Sequence, residues 1–108
     1  MNESKYQQAC LRYLRAQGIY HINIHGAGWS ARGCPDIVIC LNGRFVAVEL
    51  KIGSNEMSPA QHIHRQRILE SGGRHVCPRS LEEFIRSIQE IKEEFAVQKR
   101  GVKSSENH

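Results

Sequence analysis

The sequence has no apolar run near the roughly 18–20 residues needed to span a bilayer. Its opening, Met1-Asn2-Glu3-Ser4-Lys5-Tyr6-Gln7-Gln8, lacks the apolar stretch of a secretion signal. Membrane, secreted and fibrous classes are thereby set aside, and a cytoplasmic location is expected. No C-x-x-C pair occurs among Cys10, Cys34, Cys40 and Cys77, which removes zinc-ribbon and thiol-redox readings. With no mark of export, the thiols are expected to be reduced. There is no internal repeat, and no linker rich in Pro, Gly or Ser before residue 98. Aspartate is scarce, since Asp36 is the only one.

What is present suits one small domain. The 108 residues are 40% hydrophobic and 24% charged, enough for a single core with an ordinary polar surface. The folded part is expected over residues 1–97, with a polar, disordered tail over 98–108. Lys and Arg outnumber Asp and Glu by 15 to 11, and the excess is uneven. Residues 1–79 hold ten basic and five acidic side chains, whereas residues 80–97 hold two and five. A basic body with one acidic helical stretch suits either a polyanionic partner or a solvated surface with a modest Arg excess.

The chain reads as α-β-β-β-α-β-α, an α/β domain with a mixed sheet flanked by helices. A first helix is expected over Ser4–Gln17, with Ser4 and Gln7 as a capping box and Gly18 as the stop. Ile19–Ile24 reads as a strand, followed by a Gly-rich loop, His25 to Pro35. Gly26-x-Gly28 with Trp29 opens no helix, so it reads as a loop and not as a phosphate cradle. Asn42-Gly43 between Ile37–Leu41 and Phe45–Leu50 predicts a hairpin with a type I′ turn. Ser58-Pro59-Ala60-Gln61 predicts the cap of a second helix ending near Gly72-Gly73. A short strand over Arg74–Cys77 precedes a third helix capped by Ser80. Its apolar stripe, Leu81, Phe84, Ile85, Ile88, Ile91 and Phe95, is core or a subunit contact.

The hairpin turn sets a register with chemical consequences. Two turn residues place Leu41 opposite Arg44, Ile37 opposite Val48, and Asp36 opposite Glu49. Alternation along the second strand puts Glu49 and Lys51 on one side, so Asp36, Glu49 and Lys51 share a patch at the open end. Opposed carboxylates repel unless something positive lies between them. Lys51 supplies part of that charge, either as a simple surface salt bridge or alongside a divalent cation such as Mg²⁺, which prefers carboxylate and carbonyl oxygens.

These residues also carry a family resemblance. Pro35-Asp36, then Glu49-Leu50-Lys51 after twelve residues, resembles the motif of the PD-(D/E)XK nuclease superfamily. Arg32-Gly33-Cys34-Pro35-Asp36-Ile37, Asn42-Gly43-Arg44, Val48-Glu49-Leu50-Lys51 and Ser58-Pro59-Ala60-Gln61 resemble the virus-type replication-repair nuclease (VRR-NUC) domain in order and spacing. Gly72-Gly73, Ser80-Leu81-Glu82-Glu83, and Glu3 with Tyr6-Gln7 extend the likeness from residue 3 to about 91.

The resemblance implies a restriction-endonuclease-like core of the stand-alone phage or prophage type. It implies Asp36, Glu49 and the Leu50 backbone carbonyl as ligands of Mg²⁺ or Mn²⁺. Lys51 would position the attacking water and stabilise the phosphate, Gln61 would hold the lysine or the water, and Glu3 would be the acid of the first helix. Ser30, Arg32, His64, Arg65 and Arg67 are expected to contact DNA. The expected protein is a homodimeric, metal-dependent endonuclease of branched DNA, most specifically a four-way junction resolvase. A monomeric flap or nicking nuclease, or an inactive DNA-binding module of the same fold, stands as the alternative. A zinc regulator built from the Cys and His residues fails on spacing.

Overall fold

A computed structural model describes residues 2–24 and 32–106, with side chains as far as residue 96. Helix α1 spans Glu3–Ala16, and Asn2 caps it, its side chain accepting the Lys5 amide at 2.8 Å. The expected Ser4 cap thus falls inside the helix, because Asn2 satisfies the orphan amides first. At the other end Gly18 turns left-handed (φ 67°) and Ile19 donates back to the Leu14 carbonyl at 2.9 Å. That helix stop consumes Ile19, so strand β1 is confined to His21–Asn23.

Asn42 and Gly43 both take positive φ, 50° and 80°, as a type I′ turn requires. They join β2 (Ile37–Leu41) to β3 (Arg44–Val48), with Leu41 opposite Arg44 and Ile37 opposite Val48, as the turn predicts. β1 flanks β2 antiparallel, and β4 (Arg74–Val76) flanks β3 parallel, giving a mixed sheet in the order β1-β2-β3-β4. The parallel crossover is α2, Pro59–Glu70, with both halves of the Ser58–Gln61 capping box formed.

The straight register stops at the last pair. Asp36 donates its amide to Val48 at 3.0 Å, although Ile37 already stands opposite Val48. Two residues on one strand meeting one on the other is bulge geometry. β3 therefore ends at Val48, and the chain beyond it pairs with β4's side only. Glu49 donates to the Val76 carbonyl at 2.9 Å and Lys51 to that of Pro78 at 3.3 Å.

One sheet face carries the core. Ile37, Ile39, Leu41, Val46 and Val48 pack with Tyr6, Cys10 and Leu14 of α1 and with Phe84, Ile88, Ile91 and Phe95 of α3 (Leu81–Glu106). Tyr13 meets Phe84 edge-on, ring centres 6.0 Å apart. The stripe along α3 is thus core, which answers the choice left open by its periodicity. α3 runs on to Glu106, past residue 98, where a disordered tail is expected. Gly101 is the helix-weakening residue in that stretch, worth about 1 kcal/mol.

α2 lies on the other face, over β4, and none of its residues is buried. On that face Tyr20, Ile22 of β1 and Phe45 of β3 are exposed, and Ile63 and Leu69 are exposed on α2. All four cysteines are free thiols. Among the described residues, no helix is long and apolar enough to cross a membrane.

Candidate active site

Glu49 is the one buried charged residue among those described, only 3% exposed. It reaches that position because β3 is central in the sheet, flanked on both sides until the bulge at Asp36 opens a gap. Gln61 donates its side-chain amide to Glu49 Oε1 at 2.6 Å. Glu49 Oε2 is equally buried and has no hydrogen-bond donor. A buried carboxylate oxygen without a donor is costly, so its surroundings call for a proton or a cation.

Asp36 provides the other half. Its Oδ2 accepts the Leu50 amide at 2.9 Å, and its charge acts on the Glu49 carboxyl. Burial, and then the Asp36 charge, push the Glu49 carboxyl up to about 8, against a smaller downward pull from Lys51. Without a cation, Glu49 thus holds a proton near neutral pH. The predicted patch of Asp36, Glu49 and Lys51 forms, though through a bulge and not through a straight antiparallel pair.

Lys51 is half-buried, and its main chain is fixed at the Pro78 carbonyl. Tyr6 donates its hydroxyl to the same carbonyl at 2.7 Å, tying α1 to the segment that carries the lysine. Gln61 sits at the site as expected, but its amide is committed to Glu49 and, through Oε1, to the Ser58 amide at 2.8 Å. Gln61 thus holds the carboxylate, beside its expected role of holding the lysine or the water. Glu3 is exposed at the start of α1 and adds only the smallest upward push on Glu49. Among the described residues, no three His, Cys, Asp or Glu side chains converge tightly enough to hold a metal alone.

The expected DNA contacts are spread around this centre. Arg32 lies exposed in the turn before Asp36, and Arg65 and Arg67 lie exposed on α2. His64 does not face solvent freely: its Nε2 meets the Arg32 carbonyl at 3.1 Å. Ser30 and the Gly26-x-Gly28 loop with Trp29 fall outside the described residues.

Two neighbours went unnoticed in the sequence. The register Val48–Val76 carries on to set Cys77 beside Glu49, and burial pushes the thiol up, with smaller effects from Arg79, Glu49, Lys51 and Asp36. His75 shares the Ala47 side of the sheet, and burial holds its imidazole down to about 4, with Nδ1 unpartnered. Parallel pairing across a helix leaves no local signal, so neither could be placed from spacing.

The donor set fits a hard divalent cation. Two carboxylates, one with a bare oxygen, beside a bend in the backbone match the preference of Mg²⁺ or Mn²⁺ for carboxylate, carbonyl and water oxygens.

A scan of the sequence against family models finds no match, and neither does a search of curated proteins. Solved structures do match. The fold is similar to that of Hjc, a Holliday junction resolvase from the archaeal hyperthermophile Archaeoglobus fulgidus. That likeness has a TM-score of 0.53 at 22% identity, over 71% of this chain and 67% of the other. More particularly, the fold is that of a VRR_NUC domain structure, with a TM-score of 0.66 at 22% identity. This second match covers 81% of this chain and 94% of the other.

Proposed function

We propose that this protein is a divalent-metal-dependent DNA endonuclease that cuts branched DNA, four-way junctions above all, as a homodimer. The observation that supports it most is Glu49: a buried carboxyl with a bare oxygen, against Asp36 and within the field of Lys51. Asp36, Glu49 and the Leu50 carbonyl would hold Mg²⁺ or Mn²⁺. When bound, such an ion offsets charge on a non-bridging phosphate oxygen and makes water more acidic.

The chain's own groups do the rest. The Lys51 ammonium orients the attacking water and offsets negative charge growing on phosphorus. Gln61 keeps one oxygen of Glu49 fixed, leaving the other for the ion. Arg32, Arg65 and Arg67 bind backbone phosphates, as does Ser30. They read shape and not base sequence.

Junction cutting needs two nicks, and one chain carries one carboxylate pair. A two-fold dimer supplies the second. With the α3 stripe buried in the core, the surface we assign to a second copy is the sheet face that exposes Tyr20, Ile22 and Phe45. Incubation with four-way, flapped, nicked and linear DNA in Mg²⁺, with an EDTA control, tests the reading. Paired symmetric cuts in the four-way substrate are expected. Nicks in flaps alone would leave a monomeric nuclease, and binding without cleavage would leave an inactive DNA-binding module.

A further inference from the structure

The expected role of His64 was a DNA contact, yet its ring is already committed within the protein. Nε2 lies 3.1 Å from the Arg32 carbonyl, and a carbonyl only accepts, so Nε2 carries the hydrogen. One turn earlier on α2, Ala60 meets the next residue of the same loop. Gly33 sits left-handed (φ 85°), and a Cβ there would fall 2.7 Å from both the carbonyl carbon and the oxygen of Ala60. Ala60 and His64 are four residues apart and share one helix face. Arg32 and Gly33 are thus docked on α2 by two consecutive contacts.

Only Cys34 and Pro35 separate this docked turn from Asp36. Pro35 is buried with its φ restrained by the ring, and the Asp36 amide is tied to Val48. Little slack remains in so short a segment. The same first turns of α2 hold the opposite carboxylate through Gln61. The helix therefore grips the site from both sides: Glu49 directly, and Asp36 through its loop.

We infer that His64 is a positioning residue, which sets the separation of Asp36 from Glu49 by anchoring the Arg32 carbonyl to α2, and that it acts on cation affinity and not on DNA affinity. The inference rests on the reading of Asp36 and Glu49 as cation ligands. Groups that orient metal ligands typically contribute 10–100-fold in metal affinity.

The test uses the whole protein and Mn²⁺ alone, titrated by calorimetry, with affinity for four-way DNA measured separately by fluorescence anisotropy in EDTA. His64→Ala should weaken Mn²⁺ binding at least tenfold and leave DNA affinity within twofold. His64→Gln, which restores an N–H donor, should bring Mn²⁺ affinity back to within about threefold of wild type. Gly33→Ala, with His64 intact, should weaken Mn²⁺ binding as His64→Ala does, because it pushes the same turn off Ala60. Thermal melting of each variant separates these effects from unfolding, and His64→Gln decides the matter should His64→Ala fail to fold. Unchanged Mn²⁺ affinity in a folded His64→Ala variant would overturn the inference alone. Lower DNA affinity with Mn²⁺ affinity intact would return His64 to the DNA surface. If the wild type bound no Mn²⁺, the cation site itself would fall, and this inference with it.

Discussion

Glu49 shows how a single residue can trade stability for chemistry. Its buried carboxyl resists ionisation, yet cation binding requires the ionised form. Because the folded value lies near 8 against an ordinary value of 4.5, the unfolded chain releases the proton first as pH rises. Its contribution to stability is therefore full below 4.5 and lost as pH climbs through 8. His75 acts oppositely: held down to about 4 from 6.5, it contributes above 6.5, and that contribution is lost as pH falls toward 4. In EDTA the melting temperature should thus fall between pH 6.5 and 8.5. Glu49→Gln should abolish that fall, and saturating Mg²⁺ should reduce it by favouring the carboxylate. A wild-type melting curve that is flat over this range in EDTA would contradict the assignment. The same residues bear on activity. Asp36→Asn, Glu49→Gln and Lys51→Ala should each lower cleavage by about 10²–10³-fold or more while folding and DNA binding persist. Near-normal cleavage by Lys51→Ala would remove the lysine from the chemistry.

At the level of elements, the three helices do different work despite similar apolar content. α1 and α3 insert into the core, whereas α2 buries none of its residues and is placed by polar and backbone contacts at its first turns. Phe84→Ala on α3 should cost about 3–5 kcal/mol, since it removes a fully buried ring packed on Tyr13. Ile63→Ala on α2 should cost less than about 0.5 kcal/mol, because that side chain is 57% exposed. Urea denaturation of both variants checks the contrast, and equal losses would refute it. The charge along α3 has partners too. Glu94 pairs with Arg74 of β4, and Arg44 lies over the Phe95 ring at 5.0 Å, so part of the acidic stretch is a structural counterpart to nearby arginines.

For the whole molecule, the question is how one site serves a branched substrate. On the proposed function, the exposed apolar residues Tyr20, Ile22 and Phe45 on one sheet face would meet those of a second copy. Light scattering at micromolar concentration should report about twice 12.3 kDa. Phe45→Glu should shift it toward the monomer, and convert paired junction cuts to single nicks. A monomeric wild type would end the resolvase reading and leave the nuclease reading in place. Affinity for DNA should fall steeply with salt for every shape tested, if Arg32, Arg65 and Arg67 bind phosphates as proposed. A preference that followed one base sequence through differently shaped substrates would count against that.

Local physics made much of this legible from the chain alone. Asn42-Gly43 needs positive φ at both residues, which dictates the turn, and the turn dictates which residues of β2 and β3 face each other. Ser58-Pro59-Ala60-Gln61 specifies its own cap because donor and acceptor lie three residues apart. The α3 stripe follows from helical period and lies in the core as that period requires. What escaped was every feature that depends on groups far apart in sequence. The slip at Asp36 arises where β1, β2 and β3 meet, so turn geometry carried two strands up to it and no further. Cys77 comes beside Glu49, and His75 beside Ala47, through parallel pairing, which a helix-long connection hides. The ionisation of Glu49 depends on burial, which exists only once α2, β4 and the bulge enclose it. Sequence determined which residues could do the chemistry; tertiary structure decided which carboxyl is buried, what holds it, and that His64 meets the Arg32 carbonyl.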